Sequence, residues 1–433
     1  MLARLDLRGR KLGDPLDLPR PNLGAEGPVA DVRAIIAQVR AGGDAAVREF
    51  TRRFDHVDVA ELRVGDQEID AALSRLPSAL RIALQEAHDA ITAFHEHRSP
   101  PPGRYVNDGI EIDHLELPVA RAGVYAPGGR AKYPSSVLMT AVPAKVAGVA
   151  SVIACVPPDR DGELPDEILA AAAIAHVDEI YRVGGAQAIA AMAYGTESIG
   201  KVDVIVGPGN RYVSIAQREV RGTVGVPGAF AGPSEIVVIA DDTTKAEWAA
   251  IDLIVQAEHG PDGLAWLVTW SEDAADAIAA AIDRLVESSP RRAETLSTMN
   301  GGGFVVLVDG PEGALEVSNA IAPEHLELLV DDPEPLLAGV RNAGVVFLGP
   351  FAPASAGDYM AGPSHVLPTF ATARFSSVLG VEDFVRRVHA VRISEAGIAR
   401  LAPFVTEIAQ AEGLAAHAES IRLRVGESTW SAE

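Results

Sequence analysis

Cysteine is almost absent from this sequence of 433 residues, and the one present, Cys155, lies in the apolar run SVIACVPP. A single cysteine forms no intrachain disulfide and supplies no cluster of thiolate ligands, so disulfide-stapled folds and multi-cysteine zinc sites are excluded. The apolar neighbours of Cys155 predict a buried position in which the side chain acts as a small hydrophobic group.

Long hydrophobic runs and positive charge are also scarce. No window approaches the roughly 18 uncharged apolar residues of a membrane span, and the stretch MLARLDLRGRKLGDP at the N-terminus carries too many charges for a signal peptide. Lys and Arg number 37 against 60 Asp and Glu, a net charge of −23, which disfavours nucleic acid as a partner. Because 48% of the residues are hydrophobic, we expect a globular cytoplasmic protein with a large core.

Short apolar runs rich in Val and Ile recur along the chain and predict β-strands. They are ARAGVYAP, SVIACVPP, DEIYRVGG, VDVIVGPG, EIVVIADD, LAWLVTW, FVVLVDG and AGVVFLGP. Ala-rich stretches of helical length lie between many of them, and this alternation is typical of α/β folds whose parallel sheets are covered by helices on both faces. Before residue 115 the pattern predicts amphipathic helices without intervening strands, and from about Val381 it predicts a helical appendage.

Three glycine-containing turns follow predicted strands and could bind phosphate. The turn in VDVIVGPGNRYV contains Gly207, Gly209 and Asn210 and precedes a helix, whose free N–H groups and dipole favour an anion. The segments YAPGGRAKYPSS and RVGGAQAIAAMA occupy similar positions. No G-x-G-x-x-G follows the first strand, and every α/β protein needs glycines to turn at strand ends, so these turns alone do not define a nucleotide site.

Two Glu-His pairs stand at the boundary between core and surface. In NAIAPEHLELLV, Pro323, Glu324 and His325 precede an apolar run that we interpret as the start of a helix. In LIVQAEHG, Gln256 and His259 are three residues apart on one helix face, just before a Gly-Pro stop. A histidine at a helix end also has an ordinary role in capping the last carbonyl groups.

Other polar residues stand near the C-terminus. GPFAPASAGDYMAGPSHVLPT reads as a loop with Asp358 and His365, each of which could make only local turn contacts. In AEGLAAHAES, Glu412 and His417 are five residues apart, about 140° around a helix, and they converge only if Glu412 precedes the helix. Gln256, His259, Asp358 and His417 form an oxygen and nitrogen set suited to zinc, but no H-E-x-x-H supports it.

These segments together resemble the histidinol dehydrogenase family from LDLRG near the N-terminus to EGLAAHAES near the end. The matching motifs, in the family's order, are YAPGG, RVGGAQAIAA, VGPGN, AGPSE, QAEHG, APEHLEL, AGDY and HVLPT. The resemblance implies an enzyme that uses zinc and NAD to oxidise L-histidinol to L-histidine in two steps through an enzyme-held aldehyde. It also implies a homodimer in which the C-terminal segment completes the partner's site.

The resemblance further implies a role for particular residues. The expected ligands of one Zn²⁺ per subunit are Gln256, His259, Asp358 and His417, and these with Ser234, His325 and Glu412 are the expected substrate contacts. The expected NAD contacts are Tyr125, Gln187 and Asn210. We expect two Rossmann-like domains, an NAD-binding one at 125–235 and a larger one from 25–124 and 236–378, with an N-terminal arm at 1–24 and a helical tail at 379–433.

The resemblance gives the Glu324-His325 pair a chemical role. We expect His325 to take the proton of the substrate alcohol, kept neutral by a helix start, and Glu324 to activate water in the second step. The chain departs from the family in VGVPGAF and at Ser364, where Asn is usual, which affects the pocket wall. Oxidation of another small alcohol, a zinc hydrolase and a silent metabolite-binding protein remain alternatives.

Overall fold

The computed structural model describes residues 2–19, 28–98, 103–128, 132–228, 232, 234–258 and 263–430. The chain forms two compact units. The first consists of Met1–Arg98 and Val119–Phe384, and the second of Ser99–Pro118 and Val385–Glu433. No helix in the described ranges is both long and apolar enough to cross a membrane.

The strands and helices are numbered in chain order. The strands are β1 (Ala3–Asp6), β2 (Arg104–Asn107), β3 (Ile110–Pro118), β4 (Arg121–Tyr125), β5 (Ser151–Val156), β6 (Glu179–Arg182), β7 (Val204–Val206), β8 (Glu235–Ala240), β9 (Leu264–Thr269), β10 (Gly303–Leu307), β11 (His325–Leu329), β12 (Val345–Leu348) and β13 (Val385–Ile393). The helices are α1 (Val29–Asp55), α2 (Asp66–Arg75), α3 (Ser78–Arg98), α4 (Pro134–Val146), α5 (Asp166–Ile174), α6 (Gly185–Tyr194), α7 (Arg211–Val220), α8 (Ala246–Ala257), α9 (Glu272–Glu287), α10 (Arg292–Gly302), α11 (Pro311–Ile321), α12 (Glu334–Leu337), α13 (Ala354–Tyr359), α14 (Glu395–Ala411) and α15 (Ala415–Val425).

The larger sheet of the first unit has six parallel strands in the order β1-β10-β9-β8-β11-β12. Its central strands are buried on both faces. In β8, Ile236 and Val238 pack into one apolar cluster, while Val237 and Ile239 pack into another on the opposite face. Continuous rather than alternating apolar sequence is what two covered faces require.

The smaller sheet has four parallel strands in the order β6-β5-β4-β7, and it also separates two apolar clusters. Cys155 on β5 is fully buried, and burial raises the pKa of its thiol to about 12, as expected for a packing residue. All eight predicted strands are present in the two sheets, so the α/β class is confirmed. The division of this unit into a larger and an NAD-binding domain stays a prediction.

The second unit differs from the helical tail that the sequence predicts. Its helices α14 and α15 follow a three-stranded antiparallel sheet, β13-β3-β2, in which β13 pairs with β3 over nine residues, from Val385 with Pro118 to Ile393 with Ile110. The segment VRRVHAVRI mixes apolar and charged residues without a regular alternation, so its own pattern does not predict a strand. It becomes a strand by pairing with β3, which lies far away in sequence.

Three further elements depart from prediction. The segment HLELL, interpreted as a helix start, is strand β11, and the predicted loop around Asp358 contains the six-residue helix α13. The N-terminal residues Ala3–Asp6 form an edge strand that pairs with β10. In each case a short segment takes its conformation from a neighbouring element rather than from its own pattern, which is weak at this length.

Candidate active site

The Glu324-His325 pair lies at the amino end of strand β11. Helix α11 ends at Ile321, and Ala322 caps it in the left-handed conformation with φ of 53°, so the chain reverses before the strand begins. His325 pairs in register with Ile236 of β8 and Val345 of β12. The expectation that these residues begin a helix was therefore wrong, because Glu324 follows the end of α11 and His325 begins a strand.

Main-chain groups of the neighbouring strand hold both side chains. The amide of Glu235 donates a hydrogen bond to Oε2 of Glu324 at 3.0 Å, and the carbonyl of Glu235 accepts one from Nδ1 of His325 at 3.2 Å. The other ring nitrogen of His325, Nε2, lies 3.6 Å from Oδ1 of Asp358. His325 is only 3% exposed, so this arrangement is a buried carboxylate–imidazole–carboxylate cluster.

Burial and charge shift the pKa values of the cluster. Burial raises the pKa of Glu324 to about 7, although the nearby His325 opposes the rise. For His325, burial lowers the pKa, but the carboxylates of Glu324 and Asp358 outweigh it and raise the value to about 9. The expectation that a helix start keeps this ring neutral was wrong, because two carboxylates and no helix N-terminus face it.

Asp358 lies near the end of the short helix α13, whose position is fixed by contacts at both ends. Oε1 of Glu327, two residues after His325 on β11, accepts the N–H of Ala354 at 2.7 Å. Nδ1 of His365 donates to the carbonyl of Asp358 at 3.0 Å, and Nε2 of His365 lies 3.2 Å from Oγ of Ser136. His365 therefore joins the end of α13 to helix α4.

Gln256 lies in the last turn of α8 and is 1% exposed. Neither its amide oxygen nor its amide nitrogen has a hydrogen-bond partner within the described residues. Leaving a buried amide unpaired costs about 1–3 kcal/mol, so this side chain is suited to a ligand that would pair it. An amide oxygen, as part of the predicted set with a carboxylate and imidazoles, is a donor type that fits zinc or a harder divalent cation.

The remaining predicted zinc ligands are His259 and His417. His259 lies outside the described residues. His417 belongs to the second unit and lies in the first turn of α15, whereas Glu412 is the C-cap of α14. Gly413, with φ of 71°, lies between the two helices, so Glu412 and His417 do not share one helix. Both side chains are exposed. In the described part of the chain, no three His, Cys, Asp or Glu side chains are grouped closely enough to hold a metal ion.

Ser234 and Ser364 both belong to the first unit. Ser234 is half-buried directly before β8, and its carbonyl accepts the N–H of Leu264 at 3.0 Å. Ser364, one of the departures from the family, is buried and donates from Oγ to the carbonyl of Met139 at 2.9 Å. The end of the other departure, VGVPGAF, lies outside the described residues.

The residues predicted to bind NAD lie at the carboxyl edge of the four-stranded sheet. Tyr125 ends β4, and its hydroxyl accepts the N–H of Gly185 at 3.1 Å. Gln187 follows β6 in the first turn of α6 and is buried, with no partner for its amide oxygen among the described residues. Asn210 caps α7 by accepting the N–H groups of Tyr212 and Val213 at 3.0 and 3.1 Å.

Gly207 brings two of these turns close together. Its φ is 112°, and a Cβ there would lie 2.1 Å from the carbonyl oxygen of Tyr125, so only glycine fits. Carboxyl edges of parallel sheets are where α/β proteins bind ligands.

Sequence reasoning missed three buried carboxyl groups near the cluster. Glu235 and Glu327 are fully buried, and Asp252 on α8 is 6% exposed. Oε1 of Glu235 accepts the N–H of Phe370 at 2.9 Å, which attaches the chain after the predicted loop to β8. A reading of HLELL as a strand would have found Glu327, because alternate residues of a strand share a face with His325.

Fold and site together define the class, an α/β enzyme with a buried acid–base cluster at the amino edge of one parallel sheet and glycine turns at the carboxyl edge of another. The family model for histidinol dehydrogenase matches residues 18–425. Two histidinol dehydrogenases are each 48% identical: that of Synechococcus sp. over 398 residues, covering 91% of this chain and 92% of the relative, and that of Aromatoleum aromaticum over 432 residues, covering 98% of both. The crystal structure of histidinol dehydrogenase from Elizabethkingia anophelis matches with a TM-score of 0.91 at 34% identity, covering 94% of both chains. The chain belongs to the histidinol dehydrogenase family, and it is an oxidoreductase.

Proposed function

We propose that this enzyme oxidises L-histidinol to L-histidine through L-histidinaldehyde, with two molecules of NAD and one zinc ion per subunit, as the last step of histidine biosynthesis in the cytoplasm. The observation that carries the proposal is the buried Glu324-His325-Asp358 cluster, with its general-base candidates at hydrogen-bonding positions. The unpaired buried amide of Gln256 supports a metal ligand at that edge. Family membership supports the substrate.

Gln256, His259, Asp358 and His417 would hold the zinc ion, which would supply Lewis-acid polarisation of the substrate oxygen, and NAD would supply the hydride acceptor. In each step the substrate carbon loses one hydride and its oxygen loses one proton. Between the steps, water adds to the aldehyde, which balances the oxygen of the carboxylate product.

His325 is the proposed proton acceptor of both steps, in the neutral form that would be favoured once a cation binds Asp358 and offsets the carboxylate charge that raises the pKa of the ring. Its Nδ1 is occupied by the carbonyl of Glu235, which selects the tautomer and leaves Nε2 to exchange a proton with the substrate. Nε2 also faces Asp358, so the acceptor nitrogen and one proposed metal ligand point to the same place. A proton acceptor beside the oxygen that must ionise is the geometry general-base catalysis requires.

Glu324 is the proposed base for the attacking water. Its Oε2 accepts the amide of Glu235, which leaves Oε1 to take a proton. Burial raises its pKa to about 7, close to the pH at which a cytoplasmic enzyme works, and a base is most efficient when its pKa lies there. The pKa that suits Glu324 to this role therefore comes from burial and not from a helix start.

The second unit supports the proposed homodimer. Its helices α14 and α15 expose large apolar side chains, among them Phe404 at 64%, Ile408 at 61% and Leu423 at 62%. Apolar side chains grouped on so small a unit are suited to an interface with another chain. We propose that Glu412 and His417, which are exposed on this unit, complete the site of the partner subunit.

The test is the yield of NADH per histidinol consumed, measured by absorbance with and without a chelator. We expect two equivalents, loss of turnover on chelation, and recovery with zinc but not with magnesium. A yield of one NADH per histidinol would indicate an alcohol dehydrogenase that stops at the aldehyde. Hydrolysis of a substrate without formation of NADH would indicate a hydrolase and contradict the proposal. Turnover that continues after complete removal of metal would show that the reaction does not require zinc.

A further inference from the structure

A buried carboxyl pair lies directly beneath the proposed active site. Glu327 follows His325 by two residues on β11, so the two side chains share one face of the sheet. Asp252 precedes Gln256 by four residues on α8, so these two share one face of the helix. The side chains of Asp252 and Glu327 face each other between α8 and β11, close enough for each to shift the pKa of the other, and both are buried.

The pair holds a proton. Burial raises the pKa of Asp252 and of Glu327, and for Glu327 the charge of Asp252 raises it further. Two carboxyl groups in contact cannot both be ionised in a buried setting without a large cost, so one donates to the other. A proton on Oε2 of Glu327 would leave Oε1 to accept the N–H of Ala354 and would allow the hydroxyl to donate to Asp252.

Helix α13 depends on this contact for its start. The helix has six residues, too few to be stable alone, and its N-cap is Pro353, which makes no side-chain capping hydrogen bond. The carboxyl group of Glu327 supplies the missing acceptor from a different element. Asp358 follows Ala354 by one turn, so its position depends on the same hydrogen bond.

We propose that Asp252 and Glu327 are positioning residues that join the three elements carrying Gln256, His325 and Asp358, and that they thereby set the affinity of the site for zinc. The chain of contacts runs from Asp252 on α8 to Glu327 on β11 and on to Ala354 on α13. The assignment of zinc rests on the proposed function. The joining of the three elements rests on the contacts alone.

Stability does not account for this pair. A buried pair of acidic groups is usually no more stable than apolar residues of the same volume, since both groups lose hydration. The pair does, however, fix three backbones in one register, and outer groups of this kind commonly change metal affinity by 10–100-fold when removed. We therefore expect the pair to position the residues of the site rather than to stabilise the folded protein.

The decisive comparison is Glu327→Gln with Glu327→Met. The Gln variant keeps an acceptor for Ala354 and an N–H donor for Asp252, whereas the Met variant fills a similar volume without either. We expect Glu327→Met to weaken zinc binding about 10–100-fold, measured by competition with a chromogenic chelator, and Glu327→Gln to stay within about threefold of the wild type. In the metal-free protein, the amides of α13 should exchange hydrogen about tenfold faster in Glu327→Met only.

A matched control separates positioning from general destabilisation. Asp44 is also a buried carboxylate of the first unit, and it accepts the N–H of Ser198 at 3.2 Å away from the site. Asp44→Ala should lower the melting temperature and leave zinc affinity and α13 exchange unchanged. If Glu327→Met does not fold, Asp252→Ala is used as the test variant, because it leaves the hydrogen bond between Glu327 and Ala354 in place. Asp252→Ala should weaken zinc binding without changing hydrogen exchange in α13.

The outcomes distinguish this inference from the proposed function. Equal zinc affinity and equal α13 exchange in Glu327→Met and the wild type would overturn the inference, and so would a Gln variant as impaired as the Met variant. If the wild type binds no zinc, the metal assignment fails, while α13 exchange and the ratio of kcat between the two Glu327 variants still decide whether the pair positions the site.

Discussion

Replacing Glu324 by Gln tests the second step of the reaction separately from the first. Gln has the shape of a protonated Glu and can still accept the amide of Glu235, so the fold should not change. It cannot take a proton from water. We expect oxidation of histidinaldehyde to fall by about 10²–10⁴-fold, which corresponds to about 3–5 kcal/mol in the activation free energy, with oxidation of histidinol to the aldehyde much less affected.

The same variant should change how stability depends on pH. The pKa of Glu324 rises from 4.5 to about 7 on folding, so the folded protein keeps this proton at pH values where the unfolded chain has released it. Stability is therefore lost as the pH rises from about 4.5 to 7, by about 3 kcal/mol at 1.36 kcal/mol per pH unit. Glu324→Gln lacks this loss, so in the metal-free state its advantage over the wild type should grow across that range and level off above it.

Two assays measure these effects. Single-turnover formation of NADH from histidinol and from histidinaldehyde separates the steps, with His325→Asn as the comparison that should slow both. Urea unfolding at pH 5 and pH 8 gives the stability difference, with the exposed Glu61→Gln as a control that should show no change with pH. A Gln variant that converts histidinol to histidine at the normal rate would refute the role of Glu324, and parallel pH curves for variant and wild type would refute the burial argument.

The remaining predictions concern the carboxyl edge of the smaller sheet. Asn210→Ala should lower the free energy of unfolding by about 1 kcal/mol because it removes the cap of α7, whereas Asn210→Asp should keep the cap. Both variants should raise the KM for NAD, and an unchanged KM in both would show that Asn210 does not contact the cofactor. Gly207→Ala should lower the free energy of unfolding by about 3 kcal/mol, because the Cβ would overlap the carbonyl of Tyr125. Gly222→Ala, at φ of 95° with no atom within 4 Å of the added Cβ, should cost about 1 kcal/mol; equal losses at both glycines would exclude the overlap as the cause.

The motifs that identify the family and the strands that build both parallel sheets could be read from the sequence. Runs such as EIVVIADD and LAWLVTW are apolar throughout, and a segment of this kind is stable only as a strand covered on both faces, wherever it lies in the fold. Their order along the chain, with helices between them, then determines that the sheets are parallel. These features depend on local pattern alone.

The chemistry of the site was decided by tertiary structure. His325 begins a strand because β8 and β12 provide its hydrogen-bond partners. Its pKa is raised because two carboxylates face it, that of Glu324 and that of Asp358, which lies 3.6 Å away on a helix that the sequence did not predict. The Asp252-Glu327 pair joins residues 75 positions apart in sequence, and no single motif contains both. Pattern along a chain records which residues will be buried, but proton affinity and ligand geometry depend on which groups then face each other, and only folding brings those groups together.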